Sequence, residues 1–166
     1  MSQLEVFRRM HNDHAQVLDG IAALERLIVA PDEMTRSVVP VHEAVALLAR
    51  QFGTHMRAEE EALFPALIEA LPEARSLVAP LTIEHETLRW MLAGLARTLA
   101  KPRTPDRDER LSVEIRDIVD LLRVHIRKEE AMVFGVAERV LRARDLERIG
   151  RSFECESPTE RKECER

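Results

Sequence analysis

The chain has 166 residues, 45% hydrophobic and 33% charged, which suits one domain with a sizeable core rather than a disordered or membrane-embedded chain. Only 5 glycines and 4% aromatics argue against a β-sandwich or barrel, so an all-helical protein is expected. The net charge is -5 with 25 basic residues dispersed among 30 acidic ones, which leaves no nucleic-acid footprint. No apolar run approaches a membrane span and the N-terminus lacks a signal-peptide core, so no membrane partner is expected and the expected compartment is the cytoplasm.

Apolar residues at three- and four-residue steps predict four long helices. The first carries Phe7, Met10, His14, Val17, Ile21, Leu24 and Ile28, and the Ala-Pro-Asp-Glu run at 30–33 ends it. The second carries Val41, Val45, Leu48 and Phe52 and continues in phase through His55, Glu59, Ala62 and Ala66 to Leu71 and Pro72. Within it Pro65 removes a backbone donor and should bend the helix near Glu61. The third carries Val78, Leu81, His85, Leu88, Leu92, Leu95 and Leu99, with Trp90 as a packing residue, and the run at 101–106 closes it. The fourth carries Leu111, Ile115, Ile118, Leu122, His125, Glu129, Met132 and Val136. Such stripes are the seams of an antiparallel up-down-up-down four-helix bundle. Residues 1–142 are assigned to it, and 143–166 to a short helical extension and a polar tail holding Cys155 and Cys164. Two cysteines at that spacing make neither a disulfide framework nor a zinc site.

The second and fourth helices share a motif, His-x-Arg-x-Glu-Glu-x-x-x-Phe, at His55–Phe64 and His125–Phe134. The first and third match at Asp13-His14 and Glu84-His85, and the offsets are 70 and 71 residues. Two copies of a helical hairpin, closed with pseudo-twofold symmetry, account for the chain. Counting from the turns, with helix boundaries near 29, 39, 100 and 109, puts each of His14, His55, His85 and His125 15 or 16 residues from its turn. At about 1.5 Å per residue the four share one layer.

Four residues along a helix return to the same face, so His55 with Glu59 and His125 with Glu129 point inward together. Six polar groups in an apolar seam each cost on the order of 1–3 kcal/mol if unpaired, and a cation would satisfy two carboxylates and four imidazoles at once. Imidazole with carboxylate suits iron, manganese or zinc, and the absence of thiolates argues against a structural zinc knot. Two metals bridged by the glutamates, with two histidines each, use all six groups and leave positions open for a small ligand, which favours a di-iron site. His11 is expected at the rim, and His42 lies too far up its helix to reach the layer. Glu60 and Glu130 rotate about 100° from their neighbours and are expected to be solvated or salt-bridged.

Asn-Asp-His at His14, HMRAEEEALFP at 55–65, IEHETLR with His85 and HIRKEEAMVF at 125–134 together resemble the hemerythrin-like (HHE cation-binding) domain over residues 4 to 142. The resemblance implies a non-haem di-iron centre, with or without an oxo or hydroxo bridge. In it Glu59 and Glu129 bridge, His14 and His55 hold one iron, and His85 and His125 hold the other. Two departures from the oxygen-carrying members stand out. Arg89 occupies the place of a further histidine, and Glu129 lies four residues after His125 where those members have aspartate at five. A more open site results unless Glu86 or water fills the position, and Arg89 is expected at the rim rather than steering anions.

The leading expectation is therefore a protein that binds or reacts with O2, peroxide or nitric oxide; if it turns over, it is an oxidoreductase acting on peroxide or nitric oxide. An iron- or oxygen-responsive regulatory module, or an iron store, is the alternative. A ferritin-like oxidase would use Glu-x-x-His, and a zinc hydrolase His-Glu-x-x-His; neither spacing occurs here.

Overall fold

The computed structural model describes residues 3–29 and 39–154. Helix α1 is Gln3–Val29. Helix α2 runs through Val39–Ala58, a π turn at Glu59–Leu63 and a final α segment at Phe64–Ala70. A 3-10 turn at Pro72–Ala74 leads into α3, Arg75–Leu99. Helix α4 repeats the interrupted pattern, with Pro105–Lys128, a π turn at Glu129–Phe134 and Gly135–Val140. Helix α5 is Ala143–Glu154. The run at 30–33 and both cysteines lie outside the described residues.

Local chemistry sets the described boundaries. Pro72, directly after extended Leu71, cannot continue α2 and opens the turn into α3. Helix α4 begins at Pro105, a turn earlier than residue 109, because Thr104 is an N-cap whose hydroxyl accepts from the Arg107 amide at 3.2 Å and Pro105 fits the first helical position. The buried Arg107 guanidinium then reaches back across the turn. Its Nε donates to the Thr98 carbonyl at 3.2 Å and its Nη2 to that of Leu99 at 2.7 Å, so the start of α4 satisfies the orphan carbonyls at the end of α3. At α5 the Asp145 side chain accepts from the Arg142 amide at 3.0 Å, half of a capping box.

The four long helices pack as a ring, α1 on α2, α2 on α3, α3 on α4 and α4 on α1, and α5 lies against α1, α2 and the first π turn. The chain is thus an all-α bundle. Its interior is divided. One apolar cluster holds Val17, Ile21, Leu48, Leu92, Ile115 and Leu122, and the other holds Phe7, Met10, Leu67, Leu81, Phe134 and, from α5, Leu146 and Ile149. Between them lie six fully buried polar residues: His14, His55, Glu59, His85, His125 and Glu129.

The predicted stripes of α1 and α3 are buried at every described position. That of α4 changes phase. Met132 is 43% exposed, while Val133, Phe134 and Ala137 are buried, because the π turn adds a residue to one turn and shifts everything after Glu129. Pro65 stands just after the π turn of α2, near the expected bend, but Gly135 occupies the matching place in α4, so the proline alone does not cause the π geometry. Trp90 does not pack inside: it is 72% exposed on the outer face of α3.

Candidate metal centre

Each buried histidine arrives on a different long helix, and the two buried glutamates open the two π turns. π turns recur at functional sites because they re-aim side chains without ending a helix. The side chains form two groups, His14, His55, Glu59 and Glu129, and Glu59, His85, His125 and Glu129, each with one ligand atom per residue within 4.8 Å of the others. Both glutamates belong to both groups. Glu86 is exposed and lies in neither group; His42 is exposed on α2, and His11 sits at the rim with its side chain 47% exposed.

The Nε2 atoms of His14 and His55 are 2.8 Å apart, and those of His85 and His125 are 3.0 Å apart. Carboxylate oxygens converge on the same points. Glu129 Oε2 is 3.1 Å from His14 Nε2 and its Oε1 is 3.0 Å from His125 Nε2; Glu59 Oε1 is 3.3 Å from His55 Nε2 and its Oε2 is 3.4 Å from His85 Nε2.

The outer nitrogens face a ring of carboxylates. His14 Nδ1 donates to Glu130 at 3.2 Å, His85 Nδ1 to Glu60 at 2.8 Å and His125 Nδ1 to Glu84 at 3.0 Å. The fourth contact, His55 Nδ1 to Asp13, is 3.7 Å, an ion-pair distance beyond hydrogen-bond reach. The ring closes in order, since α1 serves α2, α2 serves α3, α3 serves α4 and α4 serves α1. An ionised carboxylate can only accept, so it keeps the proton on Nδ1 and turns the Nε2 lone pair inward, the arrangement typical of metal-bound histidine.

Charge follows the same geometry. Burial pulls the His85 pKa down, but the polar contacts and negative charges of Glu129 and Glu59 beside it outweigh burial and push it up to about 9. Burial opposes the charged form of His55 too, yet Glu59, Asp13 and Glu129 raise it well above the ordinary value. Burial would raise Glu129, and the four histidines instead hold it well below the usual carboxylate range. Glu60 and Glu84, pulled up by burial, are lowered overall, chiefly by Arg89 and Lys128 respectively. The interior therefore favours positive charge. Even so, Glu59 Oε1 and Oε2, Glu129 Oε1 and His55 Nδ1 are buried without a hydrogen-bond partner. Convergent lone pairs, orphaned carboxylate oxygens and a field that favours cations fit metal ions at both groups.

Sequence reasoning missed the positions of Glu60 and Glu130. They are salt-bridged, as expected, but their partners include His85 and His14. Their repetition at the 70-residue offset, and the acidic residue before both His14 and His85, carried that signal. Arg89 lies at the rim, where its Nη2 donates to Glu60 at 2.7 Å. Phe64 stacks on His85 at 5.7 Å and Phe134 on His14 at 5.3 Å, completing the pseudo-twofold pattern.

Fold and site define a helical bundle with two His/Glu groups positioned to bind metal ions. The sequence profile of the Hemerythrin HHE cation binding domain matches residues 5–137, and the chain belongs to that family. No curated protein and no solved structure gives a significant match.

Proposed function

We propose that this chain is a non-haem di-iron protein that binds or reacts with O2, peroxide or nitric oxide. The observation that carries the reading is the sharing of Glu59 and Glu129 between the two groups, since a carboxylate whose two oxygens face different groups is a bridge in waiting for two cations. In this reading His14 and His55 bind one iron, His85 and His125 the other, and both glutamates bind both. Four protein groups per metal leave coordination positions for a small ligand. Bound iron would supply the electrons exchanged with such a ligand.

The protein residues do the rest. Glu130, Glu60 and Glu84 hold the Nδ1 protons and fix the imidazole planes. Phe52 packs edge-on against His85 and His125, and together with Phe64 and Phe134 it keeps bulk water from the layer. Arg89, turned outward onto Glu60, adds no ligand at the place where oxygen carriers have histidine. The His85 and His125 half is thus as open as its mate, which favours reaction over storage of the ligand.

Anaerobic iron loading followed by stopped-flow mixing with O2, peroxide and nitric oxide tests the proposal. The expected result is two irons per chain, matching the two groups, and an optical change with at least one of the three ligands. Protein without stoichiometric iron, or iron content untouched by His55→Ala, would overturn it.

A further inference from the structure

Among the four contacts between a histidine and its outer carboxylate, the pseudo-twofold symmetry fails at one, between α1 and α2. In the α3–α4 half, Glu84 meets His125 at 3.0 Å and is braced by Lys128. At the matching positions stand Asp13, one methylene shorter, and Ala58, which is buried and carries no charge. His55 Nδ1, fully buried behind Asp13, consequently has no hydrogen-bond partner, alone among the four histidines. In front of Asp13 a groove of about 1150 Å³ opens between α1 and α2.

The walls of this groove are cationic. Arg8 lies on α1, Arg50 and Arg57 on α2, and among the described residues none of the three has an ion-pair or hydrogen-bond partner. Glu5 and Arg9, also on the wall, are already engaged. Asn12 and Thr54 add hydrogen-bonding groups, and Asp13, 27% exposed, is directed at the imidazole. The repeat does not explain this composition. Arg8, Asn12 and Arg50 correspond to Ala79, Ile83 and Asp120 in the other half, and only Arg57 is repeated, as Arg127, so two of the three arginines are particular to this face. Free arginines gathered on one groove of a chain with net charge -5 are a local feature that the long-range field does not provide.

The arrangement selects the ligand. Arg50 and Arg57 are two helical turns apart, about 10.5 Å along α2, and Arg8 faces them from a neighbouring helix, so the positive charge spreads wider than a single phosphate. Guanidinium forks favour phosphoryl oxygens in paired hydrogen bonds, and the groove is large enough for a ligand of nucleotide size. We propose that the α1–α2 groove is a binding site for a small molecule carrying two or more linked phosphoryl groups, held by Arg8, Arg50 and Arg57. The ligand sits one side chain, Asp13, away from His55. The site stands whether or not the buried layer holds iron.

Isothermal titration of the full chain at fixed ionic strength with inorganic phosphate, pyrophosphate and ATP tests it. Pyrophosphate and ATP should bind saturably at one per chain, and more tightly than phosphate. Equal affinity for the two assigns recognition to the phosphoryl chain, and tighter ATP assigns it to nucleotides; both support the site. Arg8→Gln, Arg50→Gln and Arg57→Gln should each weaken binding about tenfold or more, while Arg116→Gln on exposed α4 should leave it unchanged. Arg8 and Arg50 are exposed and Arg57 is half-buried, and circular dichroism verifies the folding of the three wall variants. No saturable binding at millimolar pyrophosphate, phosphate binding as tightly as pyrophosphate, or equal weakening by Arg116→Gln would overturn the proposal.

Discussion

Glu59 and Glu129 each divide their two carboxylate oxygens between the halves of the bundle: Glu59 reaches His55 and His85, and Glu129 reaches His14 and His125. Neither half is complete without both. Glu129→Ala should therefore empty both metal positions, whereas His14→Ala, which alters one group, should leave the His85 and His125 position loaded. Metal analysis after anaerobic loading checks this, and a Glu129→Ala protein retaining one full equivalent would contradict shared ligation.

Removing the metal should lower thermal stability, because binding to the folded state alone stabilises by about 2.7 kcal/mol at a hundredfold excess over Kd. For a chain of this size that is a melting shift of roughly 5–10 °C. Calorimetry with and without chelator measures it; superimposable melts would show that nothing binds the layer.

The metal-free protein should respond to pH in a definite direction. His85, raised to about 9 from 6.5, contributes stability that is fully present below pH 6.5 and lost as pH rises through 9. Glu129, lowered from 4.5, contributes stability present above pH 4.5 and lost at more acidic pH. Chelated protein should accordingly melt higher at pH 6 than at pH 9. Metal uptake at pH 7 should release protons and tighten toward pH 9, since the cation displaces protons that His85 otherwise holds. Melts that rise from pH 6 to pH 9 would refute this assignment.

Glu60→Gln and Glu84→Gln should each weaken metal affinity by about 10–100-fold while the fold persists, because an amide no longer fixes the Nδ1 proton as a carboxylate does. Asp13→Asn should cost less, given its longer 3.7 Å contact. Competition with a coloured chelator ranks the three, and an Asp13→Asn effect larger than that of Glu60→Gln would contradict the distances.

The π turn of α4 makes a prediction about packing. Phe134→Ala should destabilise by about 3–5 kcal/mol and Met132→Ala by about 0.5 kcal/mol or less. An uninterrupted α-helix would bury Met132 instead, so denaturation midpoints of the two variants decide between the phases.

The bundle and the buried six were legible because periodicity and repetition are properties of the sequence itself. His14, Val17 and Ile21 announce one face of α1, and His55 and His125 announce each other at an offset of 70. The π turns were not legible, because an extra residue per turn leaves no mark until packing beyond it is known; Met132 and Val136 continue the α phase on paper, and only the burial of Val133 and Phe134 reveals the slip. The roles of Glu60 and Glu84 were hidden for a related reason. A residue adjacent to an inward one faces away from its own seam, and it finds a histidine only because the next helix presents Nδ1 there. The groove at Arg8 and Arg57 depends on which charges lack partners, which no single-helix pattern encodes.

Because each group draws a glutamate from the opposite hairpin, one hairpin alone cannot assemble even half of the layer. A chain of half this length would bring the six groups together only by pairing with a second copy. Carrying both hairpins in one chain fixes that pairing and removes its dependence on concentration, and it allows the two to differ in sequence. Asp13 and Ala58 on one side, against Glu84 and Lys128 on the other, are where the two hairpins differ around the layer.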